Sequence, residues 1–296
     1  MQKKIVSLVL ACMMVLSVSS LAFAATTVNI TVTDFDHIAP GVESMAEGNG
    51  AIDWRQGLIQ VKGFGVAPSQ YASMAQAKIM ARRAAIVDAY RNLAETIRGV
   101  QVDAESTVLN YQTANDTVRV RVSALIQGAR ILKEQPMENG GYQVIMAINL
   151  YGDNSLSGIV TDAANVQPVA IPQPAVRYDV PANYTGLIVD ARGLDLDPVM
   201  APKVFDQSGR VIYGNQYVDA NTQVSRGLAD YAFTEEDLQA AANGQSRAGT
   251  NPFVIRAVGL RDNNRNIVIS NEDGDRILAA NAASGFIQKS AVVLEK

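Results

Sequence analysis

Residues 69–99 read SQYASMAQAKIMARRAAIVDAYRNLAETIRG. Pro68 precedes this run, Gly99 closes it, and the Ser69 hydroxyl can cap a first turn, so the run predicts one helix from Ser69 to about Arg98. Ala75, Ile79, Ile86, Tyr90, Leu93 and Ile97 recur at helical intervals, which gathers the large apolar groups on one stripe. Ala77, Ala81, Ala85 and Ala89 recur at strict fours and form a second stripe, small enough for another backbone to approach closely. Two apolar stripes need two packing partners. The expected arrangement is a sheet under the large groups and a neighbouring helix or a second subunit under the alanines. The alanine stripe, with Arg82 and Arg83 beside it, is then the candidate interaction face.

Outward from the helix, Leu58–Val66 reads as a strand ending in Gly63, Phe64 and Gly65. Thr27–Thr33 alternates Val28, Ile30 and Val32 with polar residues and reads as a half-buried strand, whereas Asp34–Asn49 reads as loop. Val100–Leu109 reads as a strand leaving the helix. Thr117–Gln127 fits two periods: Val118, Val120 and Val122 alternate with Arg119 and Arg121, while Val118, Val122, Leu125 and Ile126 share a helical face. A short helix stopped by Gly128 is the expectation. Ala129–Glu134 and Tyr142–Tyr151 then form a hairpin through Asn139, Gly140 and Gly141. This order of elements predicts an α+β sandwich.

Between Asn165 and Asn183 stand Pro168, Pro172, Pro174 and Pro181, four of the ten prolines in the chain. Proline fixes φ and lacks a backbone donor, so the stretch is expected to be extended and to act as a linker, with a long surface loop as the alternative. Beyond it, Thr185–Ala191, a hairpin over Lys203–Tyr213, a helix capped by Thr234, and strands at Phe253–Val258, Ile267–Ile269 and Ala291–Leu294 predict a second, β-rich domain. The expected organisation is a signal peptide at 1–24, an α+β domain at 25–160, a proline-rich linker at 161–183 and a β-rich domain at 184–296.

The composition supports a folded chain: of 296 residues, 48% are hydrophobic and 18% charged. A net charge of −4 offers no general attraction to nucleic acid or anionic lipid. Lys3 and Lys4, the apolar stretch from Ile5 to Val18, and Ala22, Phe23 and Ala24 follow the order of a cleaved secretory signal. A periplasmic destination is expected. Cys12 follows Val9, Leu10 and Ala11, an order that loosely suits acylation, so an outer-membrane lipoprotein is the alternative. Only seven apolar residues precede that cysteine, and the apolar stretch runs on past it.

The run Met80 to Glu95, with Ile97, Gly99 and Val100 behind it, resembles the signature helix of the LPP-twenty lipoprotein family of bacterial envelope proteins, to which the N-terminal region of flagellar assembly protein T is similar. The resemblance extends back to Ile52, Asp53, Trp54 and the Gly63, Phe64, Gly65 strand end, and forward to Gln127, Gly128, Ala129, Gly140, Tyr142 and Val144. It implies an α/β sandwich with one long helix on a curved, dodecin-like sheet, in an exported protein. For the flagellar members it implies a structural role around the basal body. It supplies no catalytic residues. Gly186–Gly193 and Pro202–Gly214 look like the companion domain of long family members.

The chemistry-bearing residues are sparse. Gly63 and Gly65 lie where a dinucleotide loop would sit, but the third glycine position is Pro68. Asp190, Asp195 and Asp197, and Asn271, Glu272, Asp273 and Asp275 around Gly274, suggest a hard cation but miss the calcium-loop spacing and suit solvated turns. His37 follows Asp34 and Asp36, in a pattern that fits a general base or a plain surface loop. Lys78, Arg82, Arg83, Arg91 and Arg98 crowd the helix, where Glu95 can pair with Arg91 and Arg98. Trp54 and Tyr71 suit packing, or stacking on a flat ligand. The reading that follows is a non-enzymatic envelope interaction protein with a flagellar association, without cofactor or metal. Its expected partners are envelope or basal-body proteins or a second copy, not nucleic acid, and it meets the membrane only if lipidated. A flavin-type binding module is the alternative and a periplasmic hydrolase the third.

Overall fold

The backbones of a helix and a strand touch directly in this protein. The computed structural model describes residues 30–67, 73–138 and 140–296. The first half carries β1 (Val42–Met45), β2 (Gly50–Asp53), β3 (Leu58–Val66), α1 (Met74–Gly99), α2 (Val108–Ala114), α3 (Asp116–Gln127), β4 (Arg130–Pro136), β5 (Gly141–Asn149) and α4 (Leu156–Ala164). The five strands form one antiparallel sheet in the order β1-β2-β3-β5-β4, and α1 lies across β3 and β5. A Cβ on Gly63 would fall 2.4 Å from the Ala85 carbonyl oxygen, and one on Gly65 would fall 2.2 Å from that of Ala81. Only hydrogen on the strand and methyl groups on the helix fit such an approach.

This contact reverses the expected roles of the two stripes. Ala81, Ala85 and Ala89 are fully buried on the sheet, and Ala77 is half-buried, so the alanine stripe is not an interaction face. Of the large groups, Leu93 and Ile97 reach the core, Ile86 and Tyr90 pack at its margin, Ala75 is exposed and Ile79 is 54% exposed. α2 and α3 lie beside α1 and partly cover that second face. The cap is Ser73, whose Oγ accepts from Gln76 N at 3.1 Å; Ser69 lies outside the described residues.

Other expectations shift for local reasons. Of the expected strand Thr27–Thr33, residues 27–29 lie outside the described residues and residues 30–33 form no strand; Thr33 N instead donates to Gln60 Oε1 at 2.9 Å. The expected loop over Asp34–Asn49 contains β1, an edge strand whose exposed Glu43 and Ser44 hide it from an apolar pattern. Val100–Leu109 is not a strand: Asp103 Oδ1 accepts from Glu105 N and Ser106 N in a turn, and Thr107 caps α2 together with Asn110. α3 ends at Gly128, and the β4–β5 hairpin turns through Gly140 at φ +77°, both as expected.

The second half carries β6 (Gly186–Asp190), β7 (Val204–Asp206), β8 (Val211–Tyr213), α5 (Ala220–Arg226), β9 (Asp230–Ala232), α6 (Glu235–Ala242), β10 (Pro252–Arg256), β11 (Gly259–Arg261), β12 (Asn266–Ile269), α7 (Asn271–Ser284) and β13 (Val292–Glu295). Four strands make a parallel sheet in the order β10-β6-β13-β9, and four make a mixed sheet in the order β11-β12-β7-β8. Helices α5, α6 and α7 alternate with strands, so the half is α/β in character as well as rich in strands. Thr234 caps α6 as expected. The residues Asn271–Asp275, expected as a turn, are instead the first turn of α7, capped by Ser270.

Contacts group the chain into two units, Met1–Thr31 and Val32–Lys296. Residues 30 and 31, all that is described of the first, have no regular secondary structure. Within the second unit one hydrophobic core runs through both halves. The expected linker begins inside α4, and its remainder is a strap without regular secondary structure, tied down by buried charge. Ala175 N and Val176 N donate to the two Asp275 carboxylate oxygens at 2.8 and 2.9 Å. Arg210 bridges Asp275 at 2.7 Å and Asp206 at 2.9 Å, and the two carboxylate side chains are 6% and 0% exposed. Burial raises the pKa of both carboxyls, but the hydrogen bonds together outweigh it and hold each below its ordinary 3.8.

Two outcomes follow for stability. Gly65→Ala forces the helix off the strand and should lower the unfolding free energy by about 3 kcal/mol, measured by urea denaturation. Asp275→Ala leaves Arg210 with Asp206 as its ion-pair partner and the Ala175 and Val176 amides without their acceptor, and should cost about 3 kcal/mol. The stability these carboxylates add is fully present above pH 3.8 and lost as pH falls below it, so acid unfolding should show a smaller contribution in the variant.

Candidate functional site

In a parallel sheet the carboxyl ends of the strands form the natural binding edge, because the loops that leave them splay apart. Here the chain leaving β6 supplies Gly193, Leu194, Asp195 and Asp197, the chain leaving β9 supplies Phe233, and the chain leaving β13 supplies Lys296. The first half closes this edge with Pro40–Glu43, Trp54, Gly99 and Gln101. Between them lies a cleft of about 740 Å³. Two backbone bonds hold the halves together behind it, Met200 N to Gln101 O at 3.1 Å and Ala201 N to Val102 O at 2.7 Å. Arg55 and Asp237 pair at 2.7 Å.

Trp54 forms the inner wall. It is 6% exposed, packs edge-on against Tyr231 with ring centres 6.0 Å apart, and donates Nε1 to Glu43 Oε2 at 3.2 Å. With its ring so enclosed, it is no platform for a stacked ligand, and Tyr71 lies outside the described residues. The Tyr231 hydroxyl both donates to and accepts from the Val199 backbone at 3.0 Å, and burial pushes its pKa above the ordinary value. Although Glu43 is exposed as a residue, its carboxyl is desolvated where it meets Trp54, and this raises it above its ordinary 4.5; Asp197 adds to this, while the Trp54 bond, Lys296 and Arg265 oppose it. Arg265 is braced by the Ala104 carbonyl at 3.1 Å.

The remaining candidate residues are dispersed. Asp190 sits at the end of β6 and is held bidentately by Arg192, which keeps its carboxyl below the ordinary range. Burial raises the neighbouring Glu295, which Arg192 opposes. Asp195 and Asp197 face the cleft, exposed and without an ion pair among the described residues. Among those residues no group of three or more His, Cys, Asp or Glu side chains is placed to hold a metal. His37 is exposed, with Nδ1 3.4 Å from Asp34. Arg82 pairs with Glu134 on β4 at 2.7 Å, Arg83 is exposed, and Arg91 pairs with Asp88 rather than Glu95. Cys12 lies outside the described residues.

A second, larger groove of about 1120 Å³ runs between α3, α4 and α5. Its main charges satisfy each other: Arg121 bonds Asp162 at 2.8 Å and the Gly158 carbonyl at 3.2 Å. The cleft at the sheet edge is the stronger candidate because Asp195 and Asp197 face it without an ion pair among the described residues. Glu43, Phe233, Arg265 and Lys296 were not singled out from the sequence. They come from distant segments, and no linear motif joins them.

Residues 63–149 match the LPP20 lipoprotein family, the family that the helix and its flanking residues resemble. Residues 186–294 match the family described as the second domain of Treponema pallidum Tp0624. The first match spans the Gly63–Gly65 contact with α1 and ends with β5; the second spans β6 to β13 almost whole. No curated protein matches the chain. Among the described residues no helix is long and apolar enough to cross a membrane.

Trp54 is the single tryptophan in the chain and therefore reports on Glu43. Its emission should titrate with a midpoint above 4.5, and Glu43→Gln should abolish the transition. A midpoint at or below 4.5 would mean that the Trp54 bond and the two cations match or outweigh burial at this carboxyl.

Proposed function

We propose that this protein is an exported, non-enzymatic component of the bacterial cell envelope that works by binding other proteins. The observation that supports this most is the match of residues 63–149 to a lipoprotein family, over the segment that holds the helix and sheet together. The charge pattern and small-residue end of residues 1–24 add an export route. Within the envelope, the resemblance to flagellar assembly protein T favours a place around the flagellar basal body. The protein is periplasmic once the signal is cut after Ala24; acylation at Cys12 is the alternative, and would place it on the outer membrane.

Mass spectrometry of the protein from its native host separates the two locations: a mature peptide beginning at Ala25 supports the periplasmic one, and an acylated peptide beginning at Cys12 overturns it. In-cell crosslinking in the same preparation should join the chain to envelope proteins, with basal-body components among them. Recovery of only uncrosslinked chain would remove the binding role.

A further inference from the structure

Among the described residues no strand pairs with the outer edge of β1, and that edge borders the cleft. Trp54 N donates to Gly41 O at 3.0 Å, so in the alternation of an antiparallel ladder residues 41, 43 and 45 bond to β2. Val42 and Ser44 therefore turn their backbone groups outward. The Val42 amide is taken by the Ala39 carbonyl at 3.1 Å, which leaves the Val42 carbonyl and both Ser44 groups facing out. Across the cleft stand Asp195 and Asp197, and Glu43 projects from β1 itself. Three carboxylates thus meet two cations, Arg265 and Lys296, and Arg265 is already engaged by a backbone carbonyl.

We propose that the cleft takes an extended polypeptide segment, which adds to the edge of β1 as a further strand and directs a lysine or arginine side chain at Glu43 and Asp197. Main-chain bonds to Ser44 and Val42 supply affinity, and the carboxylates select a basic residue. The volume lies within the range of about 300–1,000 Å³ typical of binding clefts. β4, the opposite edge of the same sheet, is a poor alternative. It presents Arg130 and Lys133, carries a register shift between Ile131 and Lys133 and ends at Pro136, all features that block strand addition.

The inference rests on the reading of this chain as a protein that binds other proteins, and a defined probe tests it separately. An acetylated, amidated hexapeptide alternating threonine and lysine is titrated into the purified full chain, with Trp54 emission and calorimetry as readouts. Saturable binding is expected, weakened about tenfold by Glu43→Gln, the effect of losing one charge-assisted hydrogen bond. Ser44→Pro removes an outward donor without touching the β2 ladder and should abolish binding at unchanged denaturation midpoint. The proposal is overturned if the glutamate counterpart peptide binds as well, if acetyl-lysine-amide alone binds as tightly, or if Glu43→Gln changes nothing. Persistent crosslinks in the host beside a silent peptide titration would discard the cleft and keep the wider reading.

Discussion

The contact between Gly63 and Gly65 on β3 and Ala81, Ala85 and Ala89 on α1 sets the geometry of the first half. Strand and helix backbones meet there without intervening side chains, and protein interiors tolerate no substitute of larger volume at such an approach. The closeness dictates the rest of the helix. Once the alanines lie on the sheet, the stripe of larger groups turns sideways. There Leu93 and Ile97 complete the core and Ile86 and Tyr90 fill its margin.

The second constraint is the shared core between the halves. Trp54 packs edge-on against Tyr231, and the Tyr231 hydroxyl is satisfied by the Val199 backbone, so the seam is closed by aromatic packing whose polar end has a partner. The same seam brings β1 beside the carboxyl ends of β9 and β13, and the cleft is what remains between two surfaces that meet imperfectly. Its chemistry belongs to neither half alone: Glu43 and Trp54 come from one, and Asp195, Asp197 and Lys296 from the other. The two family matches divide the molecule along nearly the same line, with Trp54 and β1 outside both.

The proline-rich strap shows how composition and context combine. Four prolines keep residues 165–183 out of any ladder, yet the stretch lies against the second half because Asp275 accepts two of its backbone amides and Arg210 neutralises the buried carboxylate. The acid-rich start of α7 therefore serves as an anchor rather than as a cation loop.

What the sequence alone determined was whatever depends on local periodicity and turn chemistry. The span of β3, the Gly128 stop, the Gly140 turn and the Thr234 cap are written in neighbouring residues, and so is the existence of the long helix. Which face of that helix meets the sheet was decided by tertiary structure, because periodicity defines stripes but not the depth to which each is buried. The two glycines that decide it sit on another element. β1 was hidden for a related reason: an edge strand with one free side needs no apolar alternation. The cleft is hidden most completely, since its walls come from segments far apart in the chain and become neighbours only when the two halves share a core.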